Sequence, residues 1–144
     1  MSADEPAELQ RRIAAFVRAF GLHKPDGTPC GAPVPVSEAH ALAVLAEFGP
    51  TTQSDLVRHL RLTKSTVSRL VDELERRGWA QRRTATVDAR RRLVDLTSEG
   101  RAVAADIDRR RSERMAALIA HIPELDRQIV LAALDSLVEA ARAT

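Results

Sequence analysis

The sequence contains one cysteine, Cys30, and no tyrosine among its 144 residues. A single cysteine excludes an internal disulfide and agrees with a reducing compartment. No uninterrupted apolar run approaches the roughly 18 residues that would suggest a membrane span. The acidic start "MSADEP" lacks the basic and apolar regions of a secretory signal, so a cytoplasmic location with no membrane partner is expected. Also missing are a phosphate-cradling glycine loop, a Gly-x-Ser-x-Gly elbow and a His-Glu-x-x-His pair. His59 and His121 fall in helical segments without evident acid partners, so no enzyme activity is expected and no cofactor is implied.

What remains has the makings of one folded unit. A chain of this length can bury a real core, and 44% hydrophobic with 29% charged residues is the balance of a folded protein. The net charge is only +2, but it is unevenly placed. Residues 61–92 hold ten basic side chains (Arg61, Lys64, Arg69, Arg76, Arg77, Arg82, Arg83, Arg90, Arg91, Arg92) against four acidic ones (Asp72, Glu73, Glu75, Asp88). That is a local charge of +6, which leaves −4 for the rest: a basic island, as expected where one face meets phosphates.

Periodicity orders the elements. Leu9, Ile13, Phe16, Val17 and Phe20 recur at helical spacing and Gly21 can stop that helix. Residues 22–35 hold four prolines and two glycines and must be a connector. Ser37 is the expected cap of a second helix, which runs through Phe48 and ends at Gly49 and Pro50. Thr52, with Asp55 three residues on, opens a third helix of about two turns. Thr63 opens a fourth, in which Val67, Leu70, Val71 and Leu74 fall at i, i+3, i+4 and i+7 before Gly78. Two helices joined by three or four residues make a helix-turn-helix. "WAQRRT" and "RRLVDLT", separated by "ATVDA", suit a β-hairpin. Thr97 then opens a long helix to about His121, and Pro123, as a first helical residue, starts another through Ala141.

Sorting the fourth helix by face turns this order into chemistry. Its apolar stripe must pack on the third helix, which leaves Lys64, Ser65, Thr66, Ser68 and Arg69 outward near its N-terminus. Short hydroxyls let a backbone approach base edges, and an arginine can form two hydrogen bonds to a guanine edge. This is the placement of a recognition helix in the major groove. The hairpin tip adds Arg90, Arg91 and Arg92, with Arg82 and Arg83 before it, so several guanidiniums should project beyond the fold toward a minor groove. Asp88 cannot favour phosphate and is assigned to orienting Arg90. Arg76 and Arg77 read more simply as favourable charges in a last helical turn.

The run "FGPTTQSDLVRHLRLTKSTVSRLVDELERRGWAQRR" followed by "DARRRLVDLTSEG" resembles the MarR family of bacterial winged helix-turn-helix regulators. The likeness covers about residues 37–101. It rests on the Leu-Glu-x-x-Gly end of the fourth helix, the Asp-x-Arg of the wing and the Leu-Thr-x-x-Gly that leads into the next helix. Trp79 stands where leucine is common, and Arg92 where an apolar residue is usual. The resemblance implies a fold that is mainly α with a small β-hairpin wing, a winged helix-turn-helix within an intertwined helical dimer. It also implies a dimerisation helix and connector over residues 1–35, the DNA-binding domain over 36–100 and dimerisation helices over 101–144. Ser65, Thr66, Ser68 and Arg69 become the implied major-groove contacts, and Arg90 the wing contact. Repression of transcription, relieved by a small-molecule effector, follows from the resemblance alone.

Dimerisation has support of its own. Ile129, Val130, Ala133, Leu134, Leu137, Val138 and Ala141 form a stripe wide enough to need cover from more than one neighbour. A twofold homodimer sets two recognition helices about 34 Å apart, so the expected partner is a pseudo-palindromic double-stranded DNA operator. His23, Cys30, Glu38 and His40 are zinc-ligand types within a short span, but their spacing fits neither a finger nor a ribbon. Glu38 and His40, two apart on a helix, do not share a face. A metal- or redox-responsive regulator using Cys30 and the nearby His23, Glu38 and His40 is the alternative, and a helical protein-interaction module is the alternative of another class. Neither that module nor a peripheral membrane protein explains a basic hairpin.

Overall fold

The computed structural model describes residues 4–85, 87–88 and 90–144; Thr86 and Ala89 of the expected hairpin turn, and residues 1–3, lie outside the described residues. Six helices and three short strands follow one another as α1 (Glu5–Phe20), α2 (Val36–Phe48), β1 (Thr51–Thr52), α3 (Gln53–Leu60), α4 (Lys64–Arg76), β2 (Ala80–Thr84), β3 (Arg92–Leu96), α5 (Ser98–Ala120) and α6 (Glu124–Ala143). The helix order and the hairpin agree with the sequence reading. β1 does not appear in it: Thr51 and Thr52 pair with Val94 and Leu93, making β3 the centre of a three-stranded antiparallel sheet.

Threonine caps set three of the helix starts. Thr52 accepts from the Asp55 amide at 3.1 Å, Thr63 from the Thr66 amide at 3.3 Å, and Thr97 from the Gly100 amide at 3.0 Å. Each satisfies one amide that the first turn would otherwise leave unpaired. Two expected starts are corrected. Ser37 lies inside α2, whose cap is Pro35. Pro123 is likewise the cap of α6 and not its first residue. In both places a proline whose φ is already near −50° supplies a carbonyl to the first turn: Ala39 N–H donates to Pro35 O, and Asp126 N–H to Pro123 O.

Leu42 and Leu45 of α2, Leu56 of α3, Val67, Val71 and Leu74 of α4, Val94 and Leu96 of β3 and Ile107 of α5 form one core. The expected stripe of α4 is buried throughout. The connector contributes as well. Ala32 and Val34 are buried in the core, and a turn in which Thr28 Oγ1 accepts from the Ala32 amide holds them there. Arg110 of α5 donates to Gly31 O at 3.2 Å and ties the connector down. By contrast α1 and α6 bury no residue of their own.

The hairpin is anchored where α4 ends and α5 begins. Gly78, with φ of 77°, takes the left-handed turn after α4. Thr97 then donates from its amide to Trp79 O and from its hydroxyl to Gly78 O. α5 starts so close to this turn that a Cβ on Gly100 would lie 1.8 Å from Trp79 O. That approach explains why the Leu-Thr-x-x-Gly sequence needs its glycine.

Candidate nucleic-acid interface

Burial of Val67, Leu70, Val71 and Leu74 fixes the rotation of α4 about its axis. Lys64, Ser65 and Arg69 are then exposed, and Thr66 and Ser68 are partly so. Lys64 and Ser68, like Ser65 and Arg69, are four apart and share one side. The Thr63 hydroxyl lies 2.8 Å from the Thr66 hydroxyl and 3.3 Å from that of Ser65, so the cap gathers three hydroxyls at the start of the helix.

The wing meets this helix across a cleft of about 320 Å³ lined by Gln53, Ser68, Arg82, Arg92 and Val94. Ser68 of α4 and Arg92 of β3 therefore border one depression. At the tip, Asp88 Oδ1 accepts from the Arg90 amide at 3.0 Å and Asp88 O from the Arg91 amide at 3.0 Å. Asp88 thus shapes the turn backbone that carries Arg90 and Arg91; its bond to Arg90 is made through the main chain.

The ten cations of the basic island divide into two sets. Arg76 binds Glu73, with Nε to Oε2 at 2.9 Å. Arg77 has Nε 3.2 Å from Glu38 Oε2, and its guanidinium lies over the Trp79 ring, 4.9 Å from the centroid. Arg82 reaches Asp72 at 2.8 Å and Glu75 at 2.6 Å, with Gln53 Oε1 and Ser68 O each at 3.4 Å. Arg83 lies 3.6 Å from Asp95. The other six, Arg61, Lys64, Arg69, Arg90, Arg91 and Arg92, are exposed and have no carboxylate at ion-pair distance among the described residues.

This division corrects two expectations. Arg82 does not project beyond the fold: it turns inward between the wing and α4, and only a fifth of its side chain is exposed. Nor is Arg77 just a last-turn charge, since it crosses to the first turn of α2. Glu38 is buried there, and burial raises its pKa while Arg77 partly offsets the rise. On the exposed side of α4 the hydrogen bond from Arg76 instead lowers the Glu73 pKa. Nothing in the local sequence announces either long-range pair. Asp72 and Glu75 sit ten and seven residues before Arg82, and only the return of β2 alongside α4 brings them together.

A smaller cavity, about 120 Å³, opens where the end of α1, the connector, α2 and α5 meet. Phe20, Cys30, His40, Arg111, Arg114 and Met115 are among its walls. Burial and the neighbouring Arg111 both lower the His40 pKa. Thr28 Oγ1 lies 2.7 Å from Cys30 Sγ. Of the zinc-ligand types, Cys30 and His40 border this cavity, whereas Glu38 faces Arg77 and His23 is exposed. Among the described residues no three His, Cys, Asp or Glu side chains gather as a metal ion would require. A wider hollow of about 710 Å³ lies along α2, β3 and α5, with Ala43, Ala46 and Ala104 in its walls.

Comparison with known proteins places this geometry. The MarR family model matches residues 32–91, the span from the connector to the wing. Over residues 32–91 the chain is thus similar to the MarR family. YwoH, an HTH-type transcriptional regulator of Bacillus subtilis (strain 168), is 40% identical over 63 residues, a match covering 44% of this chain and 45% of YwoH. The matched stretch thus spans under half the length of that relative. The likeness of fold extends further. A MarR-like transcriptional regulator from Thermotoga maritima superposes with a TM-score of 0.68 at 27% identity, covering 99% of this chain and 98% of that one. FabT of Streptococcus pneumoniae, solved in complex with DNA, has a TM-score of 0.81 at 20% identity, with 97% and 99% covered. The MarR winged-helix fold therefore runs the length of the described chain, α1 and α6 included.

Proposed function

We propose that this chain is a homodimeric transcriptional regulator that binds a pseudo-palindromic double-stranded DNA operator and acts as a repressor released by a small-molecule effector. The observation that carries this reading is the arrangement of cations unpaired among the described residues, with Lys64 and Arg69 exposed in the first two turns of α4, and Arg90, Arg91 and Arg92 at the tip and the β3 end of a wing that shares a cleft with Ser68. In this reading Ser65, Thr66, Ser68 and Arg69 address base edges and phosphates in the major groove, and the wing arginines enter the adjacent minor groove. Asp88 keeps the turn that presents them.

The second copy covers what one chain leaves bare. Leu9, Ile13 and Phe16 of α1 and Ile129, Leu134 and Val138 of α6 are each about half exposed or more. At about 25 cal/mol per Å² of apolar surface removed from water, pairing two such faces drives association. Residues 1–35 and 101–144 thereby become the dimerisation segments around a DNA-binding domain of residues 36–100. The cavity between α1, α2 and α5 is the proposed effector site, since its walls belong both to the dimer helices and to the lobe that carries α4. The MarR-family match of residues 32–91 and the DNA-bound state of FabT favour the same reading.

The test is a gel shift with the duplex upstream of the protein's own gene beside a random-sequence duplex, with dimerisation followed by light scattering. A sequence-selective shift by a dimer is expected, with log affinity falling linearly against log salt. Arg69→Ala should cost about 1–3 kcal/mol on the selected duplex and much less on the random one. A monomer, or binding indifferent to salt, overturns the reading.

A further inference from the structure

We propose that Arg61, in the turn between α3 and α4, is a phosphate-contacting residue of the DNA interface, held there against its own backbone preference. The inference rests on the DNA-binding reading above and adds to it a contact that recognition-helix and wing arguments leave out.

Two independent observations single Arg61 out. The first is the division of the basic island. Exposure without a carboxylate partner is the property shared by all five cations already assigned to DNA, namely Lys64, Arg69, Arg90, Arg91 and Arg92. One further residue of the ten has it, and that residue is Arg61. It stands three positions before Lys64 and two before the Thr63 cap, so it lies at the end of α4 that approaches the duplex.

The second observation is conformational. Arg61 has φ 53° and ψ 40°, and it is the one non-glycine residue at positive φ among those described. In this left-handed region the Cβ of an L-residue crowds the following carbonyl, a cost glycine does not bear. The other positive-φ positions, residues 21, 31, 49 and 78, are all glycine. At residue 61 the chain carries instead a long cation with no ion-pair partner among the described residues. Residues held in costly conformations concentrate at functional sites, and a solvated guanidinium beside a recognition helix has phosphate as its natural partner. Arg58, one turn earlier, makes a useful contrast: it is spent on Asp55 at 2.7 Å.

The experiment uses the full chain with Arg61→Gly, Arg61→Lys and Arg61→Ala, measuring thermal stability and the affinity for both the selected and a random-sequence duplex across salt. Arg61→Gly should melt a few degrees higher than the native protein, because the strain is gone, yet bind both duplexes more weakly. Each phosphate left without its cation lowers the slope of log affinity against log salt by about 0.9, or about 1.8 for a dimer with one Arg61 per half-site. Between about 50 and about 200 mM salt the native advantage should therefore shrink by about 3.5-fold for every phosphate so vacated. Arg61→Lys keeps charge and strain and should resemble the native protein in both measurements. Arg61→Ala should bind as weakly as the glycine variant without its gain in stability.

A glycine variant whose salt slope equals the native one overturns the assignment, as does one whose weakening is confined to the selected duplex. If the native protein itself shifts neither duplex at low salt, it is the DNA-binding reading that fails. Native binding with an unchanged Arg61→Gly slope removes Arg61 alone.

Discussion

The two arms of the wing carry similar charge and put it to different use. β2 brings Arg82 and Arg83, both engaged by carboxylates of α4 and β3; the tip and the start of β3 bring Arg90, Arg91 and Arg92, all exposed and unengaged among the described residues. The register explains the difference. Arg82 stands opposite Val94, next to the sheet centre and alongside Asp72 and Glu75 of α4, whereas Arg92 stands opposite Thr84 at the far end of the ladder. Charge near the base of the hairpin is drawn into the fold, and charge near its tip stays available. A run of arginines thus announces a nucleic-acid face only after those that hold the structure together have been subtracted.

The largest test of that contrast removes the base on which both arms stand. Gly100→Ala forces a methyl group to within 1.8 Å of Trp79 O unless α5 or the turn moves. Overpacking against backbone has no flexible side chain to absorb it, so a loss of about 3 kcal/mol is expected, with a fall of roughly 10 °C in melting temperature. Stability and DNA binding should decline together. Retained stability would mean that the close approach of α5 to Trp79 does not exist.

Next in size is Arg82→Ala, which leaves Asp72 and Glu75 facing each other across the emptied site and takes away the alkyl stem between wing and helix. Both acids are partly solvated, so about 1–2 kcal/mol of stability is the expected cost. Chemical denaturation should register it directly. Arg91→Ala is the counterpart on the other arm. Its stability should stay within about 0.5 kcal/mol of native, while affinity for DNA falls by about 1 kcal/mol and the salt slope decreases. If the two variants exchanged phenotypes, the division of the wing would be wrong.

Where sequence reading succeeded, a local pattern was enough. α4 declares itself through a threonine cap, four apolar residues at helical spacing and a glycine exit, and its outward residues follow from that stripe. β1 escaped because two residues show no alternation and Thr52 was already spoken for as a cap; only Leu93 and Val94, some forty residues later, make it a strand. The burial of Ala32 and Val34 was hidden among prolines and glycines that carry no period. The site was legible as a set of exposed cations, but which of them would be neutralised was not, because Arg77 meets Glu38 and Arg82 meets Asp72 only through tertiary structure. The turn at Arg61 was hidden for the opposite reason, as the residue that usually marks a left-handed turn is absent from it.

The smallest expected effect separates the paired arginines from one another. Arg76 is paired with the half-buried Glu73, whereas Arg77, also 3.4 Å from Glu73, reaches the buried Glu38, whose Oε2 lies near Arg77 Nε without being aligned for a hydrogen bond. Desolvation raises the Glu38 pKa above its ordinary 4.5, so the folded chain holds that proton more tightly than the unfolded one does. Glu38 therefore contributes stability that is present below pH 4.5 and lost as pH rises through its raised value. His40 acts in the opposite direction, because its lowered pKa makes stability grow as pH rises toward 6.5. Glu73, with its pKa lowered, adds stability as pH rises, a change that ends only once the unfolded carboxyl is fully ionised somewhat above its ordinary 4.5. The decisive quantity is thus the difference between Glu38→Gln and the native protein from pH 4.5 upward, in which the contribution of His40 cancels and that of Glu73 differs only by its charge coupling to Glu38. That difference should shift in favour of the glutamine variant as pH rises and then level off. Emission from Trp79, the single tryptophan of the chain, should follow the same titration in the native protein through the overlying Arg77 and be flat in the variant. Parallel stability curves would place the Glu38 carboxyl in solvent and leave Arg77 paired no more deeply than Arg76.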